Sequence, residues 1–253
     1  MINFFRNIRQ NMIKENKVSK YILYAIGEII LVVIGILIAL QINNWNAEQN
    51  IEKEEISLLN NLLESLYSAK EQSDIDIFKE NKLRESLLVA LGKNSNKSDL
   101  GINSMSDSLF YNLLWNSNPS VPVLSSYSDI KNTGRIGIIK NRSIRENFTN
   151  LELSLAELTS LVKDRLIVQQ TRIDDILVND VNFVRLLKSM EPSIDIDNEL
   201  QNNYNLILNN QKTRNLLALK LGLTYSAINN RQELRDEIDD LIQLVEVELQ
   251  REQ

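Results

Sequence analysis

Apolar positions along the chain fall into two regimes. The first is a continuous run: from Tyr21 to Ile42 the only residue charged at neutral pH as a free side chain is Glu28. As a helix this run spans roughly 33 Å at a rise of about 1.5 Å per residue, enough to cross a bilayer. The second regime is periodic. Ile51, Leu58, Leu59, Leu62, Leu63 and Leu66 mark an apolar face over about 47–91, with Glu, Lys and Asn opposite. Ile144, Phe148, Leu151, Leu155, Leu158, Val162, Ile173 and Ile176 continue the three-four spacing over about 142–178. Leu217, Leu221, Ile228, Leu234, Ile238, Leu241 and Val245 do so over about 212–250.

Between these long helices the pattern predicts short ones. The segment "GKNSNKSDLGINSM", 92–105, reads as a loop, followed by a helix at about 106–116 whose Phe110, Leu113 and Leu114 cap a core. A helix from Ser125 stops at Gly134, a suitable residue just past a helix end. Two more fall at about 180–190 and 197–209, divided by Pro192. The segments "IIKNRSIRENF" (138–148) and "ILNNQKTRNLL" (207–217) echo one another, each introducing a long helix. Duplication of a hairpin and shared helix-start chemistry both explain that echo. The predicted architecture is all-α: one N-terminal transmembrane helix, then an elongated antiparallel helical bundle. The division is a basic tail at 1–20, a membrane segment at 21–42 and a helical domain at 43–253. Nothing between Ile42 and Ile51 obliges the membrane helix to stop.

Composition supports this picture. The chain has 253 residues with only 7 Gly and 3 Pro, too few for the many turns of an all-β fold. It has neither Cys nor His, which removes disulfides, thiolate chemistry and the commonest general base and metal ligand. The net charge of −6 is unevenly distributed: residues 1–20 carry five basic residues against one acid, the remainder 23 against 33. An acidic body is a poor nucleic-acid binder. Basic residues before the apolar run and Glu48, Glu52, Glu54 and Glu55 after it place the N-terminus in the cytoplasm and the body outside. A cleaved signal peptide fits less well, because the run is long and "LQINNWN" offers no small-x-small cleavage site. Tyr21, Tyr24 and Trp45 sit where interfacial aromatics anchor a helix.

Within the membrane run, Ala25, Glu28, Val32, Gly35, Ala39, Ile42 and Asn46 recur at spacings of three and four and share one face. Gly35 and Ala39 form a small-xxx-small pair, which lets two helix backbones approach closely. The competing reading is that small residues are simply common in membrane helices. A carboxylate at Glu28 has to be neutral, paired or near water; it reads as a proton relay, as a partner-pairing acid or as one reaching back to the cytoplasmic headgroups, and the last two fit its shallow depth better.

Two blocks resemble a known family. "FFRNIRQ" with "ENKVSKYILYAIGEIILVVIGILIALQINNWN", and more loosely "SSYSDIKNTGRIGIIKNRSIRENF" (125–148), are similar to a Bacteroidota family of single-pass inner-membrane proteins, domain of unknown function six-zero-nine-zero. That segment usually ends NNWNE in the family; here Ala47 intervenes before Glu48. The resemblance implies a Gram-negative inner membrane and a periplasmic body, and it carries no activity.

Catalytic and cofactor motifs are wanting. Asp174–Asp175, 195–199 and 235–240 are acidic clusters that could offer divalent-cation ligands, but none has calcium-loop spacing, and Asp236, Glu237, Asp239 and Asp240 on a helix read as a solvated face. Ser128 and Lys131 match S-x-x-K by letters only, and there is no phosphate-binding loop. Tyr127, Lys131, Arg135, Lys140, Arg142 and Arg145 make a basic island in the acidic body. It reads either as a docking patch for an acidic partner or as the ion pairs of a tight turn. The expected function is therefore non-enzymatic and cofactor-free. It is that of a membrane-anchored scaffold or interaction module, self-associating or serving other membrane subunits, in contact with lipid and not with nucleic acid. A periplasmic ligand-sensing or signal-relay module, acting through a cytoplasmic partner, is the alternative.

Overall fold

A computed structural model describes residues 18–92 and 105–251. The basic tail lies almost wholly outside the described residues, as does nearly all of the expected loop at 92–105. The described elements are all helical. In order they are α1 (Val18–Ala90), α2 (Asp107–Trp115), α3 (Ser125–Asn132), a 3₁₀ turn (Arg135–Ile138), α4 (Arg142–Val168), a π-helical turn (Gln169–Ile173), α5 (Asp174–Asn179), α6 (Phe183–Leu187), α7 (Tyr204–Asn209) and α8 (Gln211–Arg251). The chain divides into two compact units, 1–56 and 57–253, and the division falls inside α1.

α1 is 73 residues long. The first proline is Pro119, so no proline removes a ladder hydrogen bond within α1. The helix ends where Gly92 takes φ +95°, a left-handed conformation that favours glycine. In the first unit its apolar residues from Ile22 to Trp45 are not buried. Its most apolar 18-residue window has a mean hydropathy of 2.7, enough in length and composition to cross a membrane. Ile51 is exposed and does not join the buried stripe that its spacing predicts.

In the second unit the stripes of α1, α4 and α8 bury as predicted. Leu58, Leu59, Leu62 and Leu66 pack with Phe148, Leu151, Leu158, Leu234, Ile238 and Val245 in one apolar cluster, which α3 covers with Tyr127 and Ile130. A second cluster gathers Leu83, Leu87, Phe110, Leu113, Leu114, Ile173, Ile176, Leu208 and Leu217. α4 and α8 lie against each other. Side-chain pairs between α1 and α8 run in opposite order along the two helices: Tyr67 with Glu246, Lys70 with Asp239, Asp76 with Arg231.

The echo noted in the sequence has a structural counterpart. Asn141 accepts from the backbone N–H groups of Ser143 and Ile144, and Asn210 accepts from those of Lys212 and Thr213. Four residues after each cap, Arg145 donates to the Ile139 carbonyl and Arg214 to the Leu208 carbonyl. Both helix starts thus use the same chemistry to satisfy backbone groups left over at a helix end.

Three boundaries differ from expectation. The predicted helix at 142–178 is interrupted by the π turn, where the chain accommodates one extra residue between two buried stripes. The helix expected at 197–209 forms only from Tyr204, where Asn203 caps it by accepting from Leu206 N–H. That expected at 180–190 shortens to Phe183–Leu187. Lys188 then turns to the Pro192 and Ile194 carbonyls, stabilising an irregular segment instead.

Candidate functional site

Between the two apolar clusters the same stripes carry polar residues. On α1, Ser73, Asp76 and Glu80 occupy the three-four positions between Ala69 and Leu83 and are buried. On α4 and the π turn, Arg165 and Gln169 follow Val162; on α8, Lys220, Thr224 and Arg231 fall between Leu217 and Leu234. Helical periodicity turns all of them inward, so the three long helices meet in a polar layer.

The layer is closely bonded. Arg165 grips Glu80 with two bonds, Nη1–Oε1 at 2.6 Å and Nη2–Oε2 at 3.0 Å. Arg231 lies 3.4 Å from Asp76 Oδ2 and 3.4 Å from Glu80 Oε1, and donates to the Asn118 carbonyl at 2.9 Å. Gln72 donates to Asp76 Oδ1 at 3.0 Å. Burial alone favours a neutral Asp76. Hydrogen bonds from Asn118, Gln72 and Ser120, with the Arg231 charge, outweigh it and hold the carboxyl below its usual range. Two acids and two guanidinium groups therefore balance out of solvent, as buried ions need to.

Lys220 stands beside this quartet. Its Nζ donates to the Leu114 carbonyl at 2.6 Å and to Gln169 Oε1 at 3.2 Å. Gln169 in turn donates to the same carbonyl at 3.0 Å and to Asp174 Oδ1 at 2.9 Å. Burial, aided by the Arg165 charge, pushes the Lys220 amine down to about 7, while Asp174 and Glu80 act the other way. The π turn places Gln169 in this chain, and turns of that kind are frequent at functional positions.

The residues expected at the membrane face lie on α1 in the first unit. Glu28, Val32, Gly35 and Ala39 are exposed and Ala25 is half-buried. A Cβ added at Gly35 meets nothing within 4 Å. Tyr24 and Trp45 are exposed, and Tyr21 belongs to the same helix. The basic island separates into small groups. The Tyr127 hydroxyl and the Lys131 ammonium both donate to Glu152. Lys131 and then Tyr127 lower the Glu152 carboxyl, and burial, with Glu152 second, raises the Tyr127 phenol. Arg135 pairs with Asp129, and Arg142 with Glu146 at 2.6 Å. Arg145 bonds the Ile139 and Lys140 carbonyls, and Lys140 is exposed. Lys131, Arg135 and Arg142 thus form ion pairs near the turn, while Arg145 bonds its carbonyls. Of the acidic clusters, Asp175 pairs with Lys212, and Asp239 with Lys70.

A reading of apolar positions alone passes over the polar layer. The signal is nonetheless present: Asp76, Glu80, Arg165, Lys220 and Arg231 sit at the spacing of the buried stripe, where a solvated face would not place them.

Among the described residues, an all-helical body preceded by one helix long and apolar enough to span a membrane defines the class. The chain belongs to the family of unknown function DUF6090, whose model matches residues 28–156, just over half of the chain. That match includes Glu28, Gly35, Ala39, Asp76 and Glu80 and ends before Arg165, Lys220 and Arg231. No curated protein and no solved structure gives a significant match.

Proposed function

We propose that this protein is a non-enzymatic, single-pass inner-membrane protein whose periplasmic antiparallel helical bundle acts as an interaction or scaffold module, as an oligomer or as a subunit of a larger membrane complex. The observation that carries the reading is the face of α1 holding Glu28, Val32, Gly35 and Ala39, exposed within an apolar stretch, 22–45, that buries none of its large side chains. Leu, Ile and Val suit lipid on the other faces, while small residues and one acid suit a partner helix. The charge asymmetry supports a cytoplasmic N-terminus and a body on the far side. The absence of His and Cys from the sequence argues against the commonest hydrolytic and redox mechanisms.

Crosslinking of the full chain in native membranes tests the proposal. A ladder or one defined hetero-complex is expected; monomer alone, in membranes and in mild detergent, contradicts it. A signal-relay role is the second reading, favoured by the buried ionic layer. Under that reading, replacing residues 1–20 by an unrelated basic tail abolishes the response.

A further inference from the structure

We propose that Lys220, with the π turn Gln169–Ile173, forms a proton-responsive latch that closes the polar layer when the amine is neutral and loosens it when the amine gains a proton. The inference rests on the layer alone and is independent of the membrane orientation proposed above.

Charge balance is the first argument. Asp76 and Glu80 from α1 already offset Arg165 from α4 and Arg231 from α8. The Glu80 oxygens are engaged by both guanidinium groups, and Asp76 faces Gln72, Arg231 and the partly exposed Lys79 ammonium at 3.6 Å, so a charge at Lys220 finds no unengaged carboxylate oxygen among these residues. The groups that bear on the amine from each neighbouring element are Glu80 on α1, the Leu114 carbonyl on α2, Arg165 on α4, Gln169 on the π turn and Asp174 on α5. Arg165 repels an ammonium, whereas Glu80 and Asp174 attract one without accepting a hydrogen bond from it: both acceptors that Nζ bonds are neutral. A buried ammonium held only by neutral acceptors is costly, and it gains by reaching water or a free carboxylate.

The π turn supplies the place to yield. Asp174 N–H bonds back to the Gln169 carbonyl, closing the wide turn. The Gln169 side chain joins Lys220, Leu114 and Asp174 in one hydrogen-bonded chain that ends on a half-buried carboxylate. A return of this turn to α-helical register would rotate Gln169 by about 100° and release both Lys220 and the end of α2. The burial-depressed amine described above puts this transition near neutral pH.

Hydrogen exchange of the full chain in lipid nanodiscs at pH 6 and pH 8, corrected for intrinsic rates, tests the latch. Amides of Gln169–Asp174 should lose protection about tenfold at the lower pH, as one proton taken up on opening requires. The α4 amides between Leu151 and Val162 serve as reference, and Lys220→Met should remove the dependence. Equal protection of these amides at both pH values in the unmodified chain overturns the proposal, as does a pH dependence that survives Lys220→Met. Should that variant not fold, NMR of the unmodified, lysine-labelled chain decides: a Lys220 signal titrating near neutrality supports the latch, and one titrating only above pH 10 refutes it.

Discussion

Arg165 and Glu80 meet fork to fork between α4 and α1, at 2.6 Å and 3.0 Å, with both side chains out of solvent. Such a pair holds register because each partner needs the other. Removing one leaves a buried charge, whereas replacing both leaves an apolar contact. Glu80→Gln should therefore cost about 3–5 kcal/mol, and Glu80→Leu combined with Arg165→Met considerably less. Urea unfolding of the full chain in mild detergent, followed by circular dichroism, measures both. A double variant less stable than the single one would contradict this view of the layer.

The two Asn caps make a second prediction. Asn141 satisfies two N–H groups at the start of α4, and Asn210 does the same for α8. Asn141→Ala and Asn210→Ala should each cost about 1 kcal/mol. The two effects should add, because the sites share no partner. Urea midpoints of the single and double variants check both statements.

The acid limb of the stability curve tests Asp76. Its carboxyl lies below the ordinary value of 3.8 in the folded chain, so its contribution is complete above that value and is lost as pH falls through the depressed one. Stability should therefore fall on acidification below about pH 4, more steeply in the unmodified chain than in Asp76→Asn. Equal slopes would show that Asp76 does not gain from its surroundings in this way.

Much of this fold is legible in the sequence because burial follows a period. Leu58 to Leu66, Ile144 to Val162 and Leu234 to Val245 repeat at three and four, and all three stripes are buried. The end of α3 was equally readable, since Gly134 takes φ +71° where a left-handed residue is needed. The polar layer was legible in spacing and obscured by residue type. Charged side chains read as solvated until a partner on another helix is known, and no local pattern ties Glu80 to Arg165. The π turn is silent for a related reason: its single extra residue leaves Ile173 and Ile176 on a spacing that an α-helix also permits. The irregular stretch before Tyr204 depends on long-range bonds, such as Asn182 with Asn202 and Glu199, which no local propensity records.

The central claim concerns one face of α1, and single-cysteine scanning of the full chain tests it most directly. The chain contains no cysteine of its own, so each introduced thiol reports without background. Cysteines placed in turn at positions 32–39 in native membranes and oxidised should crosslink at Val32, Gly35 and Ala39, and not at Ile34 or Leu37 on other faces. If the partner is a different protein, a photoreactive maleimide attached at the same three positions, which needs no thiol on the partner, should give one heterologous adduct. Crosslinking that is uniform around the helix, or absent from every position, would contradict the claim and leave α1 an anchor alone.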